Sequence, residues 1–160
     1  MTRRLCILAA SGGSLALLAG AFAFQYIGGL APCDLCLWQR WPHAAAIVIG
    51  LVALVVPDRM LLMLGALAAL ATAAIGGYHT GVERGWWEGP TTCSSGSTEG
   101  MTPQQLLDQI MTAPMVRCND VAWELFGLSM ASWNMILSLV LALLWLAALR
   151  YPREGVSRQA

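Results

Sequence analysis

The chain has 160 residues, of which 58% are hydrophobic and only 11% charged, and its mean hydropathy is +0.63. Soluble domains average about 25% charged residues, so this composition argues against a water-soluble globule and indicates a single domain in a lipid bilayer. Nine basic and nine acidic residues give zero formal net charge. With no basic cluster, nothing in the sequence indicates nucleic-acid binding.

Four apolar segments predict an all-α fold, a four-helix transmembrane bundle with a long loop before the last span. A full span needs about 20 apolar residues, within a range of about 17–25. The second segment reaches that length only if its helix begins near Cys36 and includes Arg40 at the membrane edge. The predicted spans are about residues 5–29, 36–56, 61–78 and 130–149, with a tight turn at Pro57-Asp58 and a polar loop over 81–129.

The first span has a second interpretation as a signal peptide. Arg3-Arg4, an apolar run and the small-residue site Ala21-Phe22-Ala23 are the parts that such a peptide needs. The apolar run is longer than a usual signal-peptide core, so we prefer a retained span.

The arginines predict the orientation of the bundle. By the positive-inside rule, the side with more arginine is cytoplasmic. Both termini and the Pro57 turn then face the cytoplasm, and the polar loop faces outward. In a bacterial inner membrane the outer side is the periplasm, where disulfides persist. One side of the four-span model carries Arg3, Arg4, Arg59, Arg150, Arg153 and Arg158, and the other carries Arg40, Arg84 and Arg117.

Within the polar loop, Thr102-Pro103-Gln104-Gln105 predicts the start of a short amphipathic helix. Threonine is a good N-cap, proline suits the first helical position, and glutamine three residues after the cap completes a capping box. Pro114 would end the helix. We expect it to lie on the membrane surface, and packing on a small loop core is the alternative. Its apolar face would be Leu106, Leu107, Ile110 and Met111.

Cys33-Asp34-Leu35-Cys36 is the strongest chemical signal in the chain. A Cys-x-x-Cys pair holds two sulfurs within bridging distance and favours a reactive thiolate. Leu37 stands where a c-type haem site needs histidine. A structural zinc site needs a second close-set pair of ligands, which the chain lacks. Redox chemistry is therefore the leading interpretation, with a structural disulfide as the alternative.

Cys93 and Cys118 form a second candidate pair. A disulfide between them would close a loop of about 26 residues and stabilise the fold by about 3 kcal/mol. Alone, the pair favours a structural role, but a second pair on the same side allows electron relay by thiol–disulfide exchange. The fifth cysteine, Cys6, lies within the first span and is predicted to be a small buried hydrophobe.

Three other residues are weaker candidates. Arg40 follows Cys36 by four residues, so both share a helix face, and its guanidinium would favour a thiolate or bind a carbonyl oxygen. Contact with lipid phosphate is an equally good interpretation. His79, at the outer end of the third span, would donate a hydrogen bond or move a proton, although a structural role is more common. His43 carries weaker evidence still.

Together these residues resemble the disulfide bond formation protein B (DsbB) family of bacterial inner-membrane thiol oxidases. The resemblance covers almost the whole chain in order and spacing. Gln39 departs from the motif, because some members have glutamate there. The residues that carry the resemblance are Phe24-Gln25, Pro32 to Arg40, Tyr78-His79, Cys93 with Cys118, Trp123, Phe126 to Met130, and Trp133.

The resemblance implies an enzyme that reoxidises a periplasmic, thioredoxin-like dithiol oxidase (DsbA-like) and reduces a membrane quinone, either ubiquinone or menaquinone. It implies that the partner attacks Cys93, and that Cys118 is bridged to Cys93 and relays electrons to Cys33. Cys36, Arg40 and His79 would then face the quinone. The resemblance assigns no resident metal.

The alternatives are a paralogue with a dedicated partner, a membrane protein with two inert disulfides, and a metal-binding membrane protein.

Overall fold

The computed structural model is a bundle of four long helices and describes residues 2–56, 58–90, 102–112 and 116–152. Within these ranges, four helices are long and apolar enough to cross a membrane, as the sequence predicts for a multi-pass membrane protein. The loop before the last helix carries a short helix and a two-stranded hairpin. The elements are α1 (Arg3–Tyr26), α2 (Asp34–Val55), α3 (Arg59–Glu83), α4 (Pro103–Thr112), β1 (Glu124–Leu125), β2 (Leu128–Ser129) and α5 (Met130–Arg150).

The four long helices form a closed ring around one core. Helix α1 packs on α2 and α5, and α3 packs on the same two helices, which is the arrangement of a four-helix bundle. The indole of Trp145 is fully buried at the centre of this core. Small residues make room for the indole: a Cβ atom at Gly65 would lie only 2.6 Å from two of its ring carbons. Cys6 is also fully buried, as the sequence predicts.

Two helix boundaries differ from the prediction in ways that matter for the site. Helix α2 begins at Asp34 because Cys33 is its N-cap, with Cys33 Sγ accepting from the Cys36 amide. Helix α3 continues beyond residue 78 to Glu83. Its last turns are polar in sequence, yet they are buried against α5, where the Thr80 hydroxyl lies 3.1 Å from that of Ser132. The helix therefore continues past the apolar segment that the sequence predicts as a span, because these polar groups find partners inside the protein.

The segment before α5 turns sharply back toward the helical bundle. Strands β1 and β2 pair through a two-residue turn at Phe126 and Gly127, whose φ angles of 54° and 72° lie in the left-handed region. Such turns match the twist of a hairpin. Ser129 ends β2 and is the N-cap of α5, accepting from the Ser132 amide. The hairpin thus fixes where α5 begins.

Helix α4 begins with the predicted capping box. Gln105 Oε1 accepts from the Thr102 amide at 2.9 Å, and Thr102 Oγ1 accepts from the Gln105 amide at 3.4 Å. Leu107 and Met111 of its apolar face are exposed, and the membrane-surface location stays a prediction. Other predictions concern Pro57, Cys93 and Pro114, which lie outside the described residues.

We predict that Gly65→Ala destabilises the bundle, because the added methyl group would overlap the buried Trp145 ring, which has no space to move. Overpacking of this kind typically costs about 1–3 kcal/mol. The measurement is the melting temperature of the purified protein in detergent. Gly12→Ala is the matched control, because a Cβ atom there meets nothing within 4 Å. Equal melting temperatures for Gly65→Ala and the parent would contradict this packing.

Candidate functional site

Cys33 lies between two other sulfurs at the end of the bundle where α2 begins. Its Sγ is 2.8 Å from Cys36 Sγ, and both side chains are free thiols. On its other side, Cys118 Sγ lies within 4.8 Å of Cys33 Sγ and is disulfide-bonded. Cys93, the predicted bridge partner, lies outside the described residues. Three of the four cysteines singled out from the sequence therefore meet in one place.

The short contact between Cys33 and Cys36 changes the pKa of the Cys33 thiol. The hydrogen bond to Cys36, followed by burial, raises the pKa of the Cys33 thiol well above its usual range. Cys33 therefore keeps its proton, and either sulfur can be the donor in the contact between them. The backbone amide of Cys36 also donates to Cys33 Sγ at 3.3 Å. The two sulfurs of the pair thus have different surroundings.

His79 joins the two sulfur sites. The sequence predicts it at the outer end of a span, and the structure places it inside α3, only 4% exposed. Its Nε2 lies 3.6 Å from Cys33 Sγ and 3.2 Å from the Cys118 carbonyl oxygen. Glu83 Oε1 is 3.8 Å from the same nitrogen, and Ser129 donates to Glu83. His79 therefore belongs to the sulfur cluster.

Cys33, His79 and Cys118 together have the composition of a partial metal site, since one donor atom from each lies within 4.8 Å of the others. A metal would need thiolate sulfur. Cys118 is already committed to a disulfide, so we interpret the cluster as an arrangement for thiol–disulfide exchange.

A cavity of about 380 Å³ opens beside Cys36, between α1, α2 and α5. Its walls are mainly apolar, and Phe24 and Trp123 close one part of it with ring centroids 5.1 Å apart. Its lining includes the polar or sulfur-containing side chains of Cys36, Gln39, Arg40, His43, His79 and Asn134. Apolar walls with a few polar groups are typical of binding sites for flat organic molecules. Cys36 lines the cavity, whereas Cys33 does not.

Arg40 also lines the cavity, and its guanidinium group contacts two residues of α1. One guanidinium nitrogen donates to Gln25 Oε1 at 2.6 Å, and the group lies 4.8 Å from the centroid of the Phe22 ring. Its Nε atom is buried and has no partner among the described residues. Arg40 is thus held at the cavity by α1, with one donor unused.

From the sequence, Asn134 was missed and Gln39 was assigned no role, and these two residues connect the groups of the site. Gln39 donates through Nε2 to His79 Nδ1 at 3.1 Å, and its Oε1 accepts from Asn134 at 2.7 Å. His43 contacts Asn134 Oδ1 at 2.9 Å. Asn134 is a polar residue in an otherwise apolar span, and such residues often mark functional sites. That signal was available in the sequence and could have found it.

Comparison with known proteins agrees with this geometry. The family model for disulfide bond formation protein DsbB matches residues 3–148. Disulfide bond formation protein B of Methylococcus capsulatus is 33% identical over 83% of this chain and 85% of its own, and that of Pasteurella multocida is 32% identical over 86% and 82%. Disulfide bond formation protein B 2 of Pseudomonas aeruginosa is 30% identical over 89% and 88%.

A match that covers nearly the whole chain, from the first turn of α1 to the last turn of α5, includes every described element of the sulfur cluster and the cavity. This protein is a member of the DsbB family of disulfide bond formation proteins.

Proposed function

We propose that this protein oxidises a periplasmic, DsbA-like dithiol protein and passes the two electrons through its two cysteine pairs to a membrane quinone. The observation that carries this proposal is the position of Cys33, with the disulfide-bonded Cys118 on one side and the cavity-lining Cys36 on the other. Two inert disulfides would not need such an arrangement. The arginine distribution supports a periplasmic location for this end of the bundle.

The reaction begins when a thiolate of the partner attacks Cys93 in the Cys93–Cys118 disulfide. A mixed disulfide forms, and Cys118 leaves as a thiolate. Cys118 then attacks Cys33 in a Cys33–Cys36 disulfide, so that the Cys118–Cys33 bond forms and Cys36 leaves as a thiolate. The partner's second thiol displaces Cys93, which in turn displaces Cys33 from Cys118. The partner is now oxidised, and the Cys33–Cys36 pair is reduced.

The cavity residues suit a quinone, which would supply an acceptor for two electrons and two protons. Arg40 and Cys36 would hold the ring by hydrogen bonding and by close contact of the sulfur, and the apolar walls would exclude water. His79 Nε2 donates toward Cys33 Sγ and the Cys118 carbonyl, which orients the sulfur between its two exchange partners. Cys33 keeps its proton while Cys36 faces the cavity, so the two sulfurs have separate tasks.

We predict that Cys33→Ser and Cys36→Ser each reduce quinone-dependent oxidation of a reduced dithiol partner to background, because each removes one sulfur of the pair that must close. The assay follows quinone reduction by purified protein in lipid nanodiscs. Cys6→Ser is the control: Cys6 is a free, fully buried thiol in the central core, and its loss should leave turnover intact. Parent-level activity in either the Cys33 or the Cys36 variant would rule out the relay.

We predict that Arg40→Lys raises the apparent KM for quinone about tenfold, as loss of a hydrogen bond to a charged group implies, without changing the KM for the partner. Lysine lacks the planar group that contacts both Gln25 and the Phe22 ring. Arg84→Lys is the matched control, because Arg84 is exposed at the end of α3 and stacks on Trp86 at 5.5 Å. An unchanged quinone KM would assign Arg40 to lipid contact.

We predict different outcomes for the two loop cysteines. In Cys118→Ser, the free Cys93 thiol should capture an oxidised partner as a mixed disulfide, and in Cys93→Ser that complex should be absent. The measurement is non-reducing electrophoresis, together with turnover and melting temperature. If the disulfide were purely structural, both variants would have a lower melting temperature and would oxidise the partner at the parent rate. That result would exclude the proposed relay.

A further inference from the structure

A continuous set of hydrogen bonds runs through the interior from the sulfur cluster to the cavity. It leads from His79 to Gln39, then to Asn134, and ends at His43. Each step is 3.1 Å or shorter. Amide orientations and histidine tautomers follow from which atoms can donate and which can accept. Groups that can only accept lie at several points along this set, and they determine the donor and acceptor in each hydrogen bond.

The first fixed acceptor is the backbone carbonyl of Leu35, which lies 3.1 Å from one end of the Gln39 amide. That end must be the nitrogen, so the other end, Oε1, accepts from Asn134. Thr72 gives an independent check. The Thr72 hydroxyl donates its proton to the backbone carbonyl of Gln39, so the hydroxyl oxygen accepts from Asn134 Nδ2 at 3.1 Å. Asn134 is therefore oriented with Nδ2 toward Gln39 and Thr72 and with Oδ1 toward His43.

Asn134 Oδ1 can only accept, so His43 must carry its proton on Nε2. Charging a buried imidazole costs free energy, and His43 is only 3% exposed, so the ring is neutral and its Nδ1 has a bare lone pair. The His79 ring obeys the same logic: the Cys118 carbonyl requires a proton on Nε2, and Nδ1 accepts from Gln39. Both histidines are therefore neutral and carry their proton on Nε2.

His43 Nδ1 is the unsatisfied end of this chain. It is buried without a hydrogen-bond partner among the described residues, and His43 is only 3% exposed. A buried acceptor with no donor is costly, and His43 lines the cavity next to Cys36 and Arg40. The wall of the cavity therefore combines a guanidinium donor with an imidazole whose free acceptor, Nδ1, has almost no accessible surface, so the ring must turn slightly for Nδ1 to reach a ligand.

We propose that His43 Nδ1 accepts a hydrogen bond from a ring hydroxyl of the bound ligand, so that the cavity binds a hydroquinone more tightly than the corresponding quinone. The proposal rests on the proposed function and adds a preference to it. Quinone carbonyls only accept hydrogen bonds, whereas a hydroquinone hydroxyl also donates. Tighter binding of the reduced form favours electron transfer from the Cys33–Cys36 pair toward the cavity.

The binding test uses the full chain in quinone-free nanodiscs, in a Cys33→Ser background that cannot pass electrons and keeps every residue that lines the cavity. A short-chain ubiquinone and its hydroquinone are titrated separately and without oxygen, with tryptophan fluorescence as the readout. His43→Leu should weaken hydroquinone binding about three- to tenfold, the worth of one hydrogen bond, and leave quinone binding unchanged. Equal effects on the two ligands, or no effect on either, would overturn the preference while leaving quinone binding itself intact.

A second test needs no substitution. The chain has only two histidines, so ¹⁵N-histidine labelling of protein with a histidine-free tag reports both rings. Both should show protonated Nε2 and unprotonated Nδ1, and hydroquinone alone should shift one Nδ1 signal. A protonated Nδ1 on either ring would overturn the tautomer assignment and with it the proposal. Failure of the parent protein to bind either ligand would instead overturn the proposed quinone function, and the preference with it.

Discussion

The amide of Gln39 is the interaction on which the interior of this bundle depends. Polar groups within an apolar bundle require partners, because nearby water cannot replace a missing hydrogen bond. Gln39 is only 7% exposed and contacts the carbonyl of Leu35 in its own helix, His79 in α3 and Asn134 in α5. One side chain therefore fixes the rotation of three helices relative to each other.

The position of the sulfurs follows from that constraint. With α3 held by Gln39, His79 lies beside Cys33 and under the Cys118 carbonyl. Glu83, one turn later in α3, accepts a hydrogen bond from Ser129 at the start of α5. The last two turns of α3 therefore hold both the hairpin and the loop cysteine. The disulfide-bonded sulfur of Cys118 therefore lies close to the Cys33 thiol, while the Cys36 thiol lines the cavity.

The two sides of Cys33 differ in chemistry. Toward Cys118 the surroundings are buried and polar, with His79 and Glu83, which suits exchange between sulfurs. Toward the cavity they are mainly apolar, with Arg40 held by α1, which suits a flat ligand entering from the membrane. Under the proposed function, this division would let one cysteine pair serve a protein on one side and a lipid-soluble acceptor on the other.

The sequence by itself determined the four-span architecture, the capping box of α4 and the residues that identify the family. These features depend on apolar run length and on spacing between near neighbours, which are local properties of the chain. Only the tertiary structure decided that α3 continues to Glu83, that Cys33, His79 and Cys118 meet in one cluster, and that Gln39, Asn134 and His43 form one network. Gln39 and Asn134 are 95 positions apart. Their contact depends on how far each helix is rotated and shifted against the next, and no local pattern encodes that.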